Sequence, residues 1–143
     1  MVPVEGGTFT MGGSDFINEN PAHQVTLSSY SIGQTEVTQE LWLAVMGTNP
    51  SVFQASNTSP YNQNPSLQRP VESVTWDDCQ AFINRLNELT GMAFRLPTDA
   101  EWEYAARGGK RTKGYTYAGS NNVDDVAWYL DNIPNYSTQI VAT

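Results

Sequence analysis

Apolar residues recur along this chain with two periods, and the change from one to the other marks its elements. Val2 and Val4, then Thr8 to Met11, alternate apolar and polar positions as a strand with one covered face does. Gly6-Gly7 between them supplies the positive φ of a tight turn, so the pattern predicts an opening hairpin. Val25-Thr26-Leu27 and Tyr30-Ser31-Ile32, set around Ser28-Ser29, alternate in the same way and extend that sheet. Beyond them the period lengthens to that of a helix. Thr38 is the expected N-cap of a helix running to about Met46, with Leu41, Trp42 and Val45 on its apolar face and Gly47 at its end. Thr75 and Asp78 have capping-box spacing, and Cys79, Phe82, Ile83, Leu86 and Leu89 follow on one stripe until Gly91 stops the helix.

The densest local pattern runs from Phe94 to Gly109. Phe94 and Leu96 alternate with Arg95 as in a half-buried strand, and Pro97, which has no N–H to give a ladder, stops it. Thr98 and Glu101 form a further capping box, so a helix begins at Thr98. Trp102, Ala105 and Ala106 share one face of that helix, and Gly108-Gly109 offers the left-handed residue that ends it. Lys110-Arg111-Thr112-Lys113 then reads as a solvated basic turn, and Tyr115-Thr116-Tyr117 as a short strand broken by Gly119-Ser120-Asn121-Asn122.

Two stretches read as loops. Gly12 to Pro21 is polar, and its Asp15, Asn18, Glu19 and Asn20 lack the spacing and the terminal Glu of a dedicated calcium loop. Thr48 to Arg69 is rich in Asn, Ser and Gln, and Pro50, Pro60 and Pro65 exclude a continuous helix or central strand. A loop longer than ~12–15 residues is usually functional, which makes this one the place to look for partner contacts, with Phe53, Tyr61 and Leu67 as its anchors to the core. Asn57-Thr58-Ser59 and Asn135-Tyr136-Ser137 satisfy the short glycosylation pattern and are assigned no role.

Composition narrows the chemistry. The formal charge of −8 leaves no basic face for nucleic acid or anionic lipid. Apolar runs such as Leu41 to Met46 fall far short of the roughly 20 residues that span a bilayer, and no signal peptide is read ahead of the first strand. Cys79 is the only cysteine, which excludes an intrachain disulfide and a thiolate cluster; on the buried stripe beside Asp77 and Asp78 it reads as a core thiol. His23, the only histidine, has no partner set for a metal and flanks a strand. Asp124-Asp125 is a pair of carboxylates, but neighbours in sequence point apart on a regular element.

The run FRLPTDAEWEYAARGG resembles the signature segment of the formylglycine-generating enzyme family, the sulfatase-modifying-factor domain. Three other pieces are similar to that family in the same order: Val2 to Gly12, Glu36 to Trp42, and Pro70 to Asp78. The likeness extends to about Trp128. It implies an α+β fold, irregular and loop-rich, related to C-type lectins, with short strands and about three helices.

Enzymes of the family use two cysteines of a later segment to bind copper and, with dioxygen, convert a sulfatase cysteine to formylglycine. Complete members also bind calcium. Cys79 matches neither catalytic position, and a related iron-binding branch needs a histidine cluster that His23 alone cannot build. The family's later Gly-Asn-x-Trp-Glu-Trp, Gly-Gly-Ser and Gly-Phe-Arg motifs are not found up to Thr143. Residues 1–143 are therefore expected to be one incomplete domain, the first two-thirds, with no catalytic, cofactor-binding or metal residue. Asp125 is a weak calcium candidate, since Asp-Val-Ala-Trp is one residue longer than the family's motif. The expected role is a non-catalytic scaffold or a module that binds protein, peptide or another ligand, exported or periplasmic by resemblance. The alternative is a fragment of the copper oxidase. Missing strands would leave edges through which the chain self-associates.

Overall fold

The computed structural model describes residues 1–13, 21–54, 66–133 and 137–141. In chain order the elements are β1 (Val2–Val4), β2 (Gly7–Met11), β3 (His23–Leu27), β4 (Tyr30–Ile32), α1 (Gln39–Met46), α2 (Trp76–Thr90) and α3 (Asp99–Ala106), then 3-10 turns at Gly109–Arg111 and Val123–Asp125. They fall into two compact units, Met1–Gln34 with Pro97–Ala127, and Thr35–Leu96 with Trp128–Thr143.

In the first unit the opening hairpin is not formed. β1 pairs antiparallel with β4, Val4 opposite Tyr30, and β2 with β3, Gly7 opposite Leu27. One register carries through both pairs, so the strands make a two-stranded ribbon interrupted at Glu5-Gly6 and Ser28-Ser29. The odd step from Val4 to Gly7, matched by that from Leu27 to Tyr30, exchanges the inward parity. Val2, Val4, Tyr30 and Ile32 are half-buried on one side of the break, and Phe9, Met11, Val25 and Leu27 on the other. Gly6 and Gly7 are absent from the positive-φ glycines, and what they supply is room. A Cβ on Gly6 would lie 2.4 Å from the Leu27 carbonyl oxygen, and one on Gly7 2.6 Å from Tyr104 Oη.

α3 holds this ribbon. Its capping box is present: Thr98 Oγ1 accepts from Glu101 N at 3.2 Å, and Glu101 Oε2 accepts from Thr98 N at 2.8 Å. The covered residues are Glu101 and Tyr104, whereas Trp102, on the face shared with Ala105 and Ala106, is 62 % exposed. Tyr104 packs on Phe9 with ring centroids 5.1 Å apart and donates to the Glu5 carbonyl at 3.2 Å. Tyr30 donates to the Glu101 carbonyl at 2.5 Å. Glu103 Oε1 accepts from Gly12 N at 3.0 Å and pairs with Arg107 at 2.7 Å, which fastens the end of β2. Gly108, at φ 88°, follows the helix as expected. Tyr115–Tyr117 is not a strand; Tyr117 N donates to the Ser120 carbonyl at 3.0 Å in a turn.

The second unit is built on α1 and α2. Trp42, Val45 and Phe82 are its buried apolar centre, with Val37, Met46, Val71, Val74, Ile83 and Leu86 around them. The Trp42 and Phe82 rings stack 4.9 Å apart at 5°, an arrangement that adds about 0.5–1.5 kcal/mol beyond its area. Caps follow the sequence: Thr38 with Gly47 for α1, and Thr75–Asp78 with Gly91 for α2. Faces follow it less well. Leu41 is 43 % and Leu89 54 % exposed, while Gln39 is wholly buried. Phe94–Leu96 has half-buried Phe94 and Leu96 around exposed Arg95, yet among the described residues it joins no ladder. The described ends of the 48–69 loop contain neither helix nor strand; Tyr61 lies outside the described residues.

Gly6→Ala is expected to cost about 1–3 kcal/mol in a denaturant titration, because its clash is with backbone and not with a movable side chain. A pH-dependent effect is expected at α2. Hydrogen bonds from Thr75 hold the Asp78 carboxyl below its ordinary pKa, so this contribution is complete above about pH 4 and fades as pH falls through the depressed value. The gap in melting temperature between the wild type and Asp78→Ala should therefore narrow from pH 6 to pH 2.

Candidate functional site

Two local arrangements combine built polar or charged groups with enclosure. The first is a buried polar network in the second unit. Gln39 Oε1 accepts from Asn49 Nδ2 at 2.9 Å, and Gln39 Nε2 donates to the Phe53 and Pro70 carbonyls at 3.1 and 3.3 Å. Asn49 Oδ1 accepts from Ser51 N at 3.1 Å, and Ser51 Oγ from Glu72 N at 3.2 Å. Glu72 closes the circuit, accepting from Phe53 N at 2.9 Å and Ser73 Oγ at 2.7 Å. Ser73 has φ 62°, the one left-handed non-glycine among the described residues.

Arg69 is buried beside this network in the chain, with 1 % of its surface exposed. Its Nε and Nη1 find no hydrogen-bond partner among the described residues, and burial pulls its pKa below the usual guanidinium value. Motif reading did not find Arg69, Gln39 or Ser51, because a polar residue inside a helix pattern or a loop normally implies solvent. The Pro and Asn around them were the available signal: a proline-rich loop needs side chains to satisfy its backbone.

The second arrangement is an open groove of about 890 Å³ in the first unit, with Val2, Val4, Tyr30 and Ala105 in its walls and Lys110 and Arg111 at its rim. The basic tip is more than a solvated turn. Lys110 Nζ pairs with Glu5 Oε1 at 2.5 Å, which lowers the Glu5 pKa and raises that of Lys110. Lys113 Nζ stands 5.8 Å from the centroid of the Tyr115 ring.

The sulfatase-modifying factor enzyme 1-like domain model matches residues 1–139. The chain belongs to that family. Its short antiparallel strands, three helices and long loops are an α+β arrangement consistent with it. Among relatives of this sulfatase-modifying-factor-like domain, the chaperone protein LppX of Paenibacillus barcinonensis is 37 % identical over 92 % of this chain and 54 % of its own length. The formylglycine-generating enzyme of Streptomyces coelicolor is 27 % identical over 81 % of this chain and 49 % of its own. The serine/threonine-protein kinase Pkn1 of Chlamydia trachomatis is 27 % identical over 87 % of this chain and 22 % of its own. The chain thus spans about half the length of the first two.

The residues given do not fit a two-thiol copper centre. Cys79 is the only sulfhydryl, half-buried on α2. Asp125 does not present a free carboxylate: Oδ2 accepts from Ser120 Oγ at 2.9 Å and Oδ1 from Asn122 Nδ2 at 3.1 Å. Those bonds brace the 3-10 turn, and among the described residues no three His, Cys, Asp or Glu side chains gather as metal ligands. His23, exposed at the start of β3, has Nδ1 3.0 Å from the Pro21 carbonyl. Asp15, Asn18, Glu19, Asn20, Asn57 and Asn135 lie outside the described residues. Among the described residues no helix is long and apolar enough to cross a membrane.

Gln39→Leu removes the amide and leaves Asn49 Nδ2 and two part-buried carbonyls without their partner. A loss of about 2–4 kcal/mol is expected in urea denaturation; a loss below about 0.5 kcal/mol would show the network to be ornamental to stability.

Proposed function

We propose that this domain is a non-catalytic, polypeptide-binding member of its family. The observation that carries the reading is the thiol count: the chain offers one thiol, half-buried on α2, where a copper oxidase of the family's kind uses two. The likeness to a protein named a chaperone, over 92 % of this chain, supports a role in holding other polypeptides. The groove of the first unit suits that role, with apolar walls for side chains and, beside the Glu5–Lys110 pair, Arg111 for an acidic group on the bound segment. β1 pairs only with β4 and β2 only with β3 among the described residues, so backbone groups at the ribbon edges are also free to receive an extended strand. Self-association through those edges is a competing use of the same groups.

A second reading has its own support. Relatives named formylglycine-generating enzymes match 27 % of aligned positions, and an oxidase fragment would depend on thiols supplied from elsewhere.

One pair of measurements separates the two. The 143-residue protein is incubated with copper, dioxygen and a cysteine-containing sulfatase-type peptide, and separately with a chemically unfolded client protein followed by light scattering. The expected outcome is unchanged peptide mass together with suppressed client aggregation, reduced by Arg111→Glu. Formylglycine in the peptide would overturn the binding-module reading, as would aggregation that proceeds at the rate of the client alone.

A further inference from the structure

Three buried side-chain polar atoms lack a hydrogen-bond partner among the described residues: Arg69 Nε, Arg69 Nη1 and Thr138 Oγ1. They come from chain segments lying side by side in the second unit, since Val141 N donates to the Gln68 carbonyl at 3.1 Å. Each of the three can act as a donor. The acids near Arg69 are directed elsewhere: Glu40 accepts from Gln68 Nε2, and Glu72 from Phe53 N and Ser73 Oγ. Among the described residues no ion pair answers these guanidinium atoms; a buried cation without a counter-charge is costly by several kcal/mol, and a neutral water answers the hydrogen bonds without answering the charge.

We infer that Arg69 and Thr138 form an enclosed site for a small inorganic anion, held by the guanidinium and the threonine hydroxyl. Size follows from access. Arg69 is 1 % exposed, which leaves no route for a carboxylate on a partner chain, whereas a monatomic ion or a compact oxyanion needs only a local opening. The bound ion would neutralise the one deeply buried cation among the described residues and fix the Arg69-Pro70 step, whose two carbonyls anchor α1 through Gln39 N and Gln39 Nε2 respectively. The anion is then a structural ligand of the second unit, separate from the groove of the first.

The test is a set of thermal melts of the 143-residue protein at constant ionic strength, with gluconate exchanged stepwise for chloride and, in a second series, for phosphate. A saturable rise in melting temperature of about 3 °C is expected with one of the two ions. Chloride alone would mark a monatomic ligand, and phosphate an oxyanion; either supports the site. The rise should vanish in Arg69→Met and shrink at least severalfold in Thr138→Val. Thr138→Val, which keeps shape and charge, decides the matter where Arg69→Met does not fold. No saturable rise with either ion, or a rise fully retained in both variants, overturns the inference.

Discussion

The side-chain amide of Gln39 has no contact with solvent, and it joins three groups that no helix or ladder reaches: the Asn49 amide and the carbonyls of Phe53 and Pro70. A chain with short elements and a proline-rich loop has few backbone partners to offer its own backbone. Polar groups carried inward on that loop must be met by side chains or be left at a cost of about 1–3 kcal/mol each. Gln39, Asn49, Ser51 and Glu72 answer that demand together, and the stacked Trp42 and Phe82 rings pack in the same unit. Satisfaction of buried polar groups thus shapes this unit as much as apolar burial does.

The first unit meets the same constraint with a different residue set. A two-stranded ribbon is marginal by itself, and α3 steadies it through side chains placed by one capping box. Tyr104 reaches the Glu5 carbonyl, and Glu103 the Gly12 amide, each from the turn that Thr98 and Glu101 start. Glycine at position 7 follows from this contact, because Tyr104 Oη occupies the space a Cβ would take. The chain from Thr98 to Arg107 therefore has a mechanical role in the unit, which accounts for the density of readable signals in it without calling on chemistry.

The family match spans residues 1–139. The helix caps and the apolar centre of the second unit lie within that span and belong to the scaffold. The one cysteine in the span, Cys79, is half-buried on α2. The groove of the first unit is open, whereas the Arg69 side chain of the second is 1 % exposed.

Local chemistry was readable from the residue order. Thr38, Thr75 and Thr98 start helices, and Gly47, Gly91 and Gly108 follow their ends, because a cap is settled by atoms within four residues of one another. Alternation likewise placed the four strands. Their partners were not readable: β1 bonds with β4, nearly thirty positions away, and Gly6-Gly7, which looks like a turn, is a place of close approach, Gly6 to the Leu27 backbone and Gly7 to the Tyr104 side chain. Phe94–Leu96 and Tyr115–Tyr117 have strand periodicity without a ladder among the described residues, since a strand exists only where a distant segment supplies its other half. Burial shows the same division. Periodicity says which residues share a face, but whether that face meets Gln39 or Leu41, Tyr104 or Trp102, depends on what the folded chain lays against it.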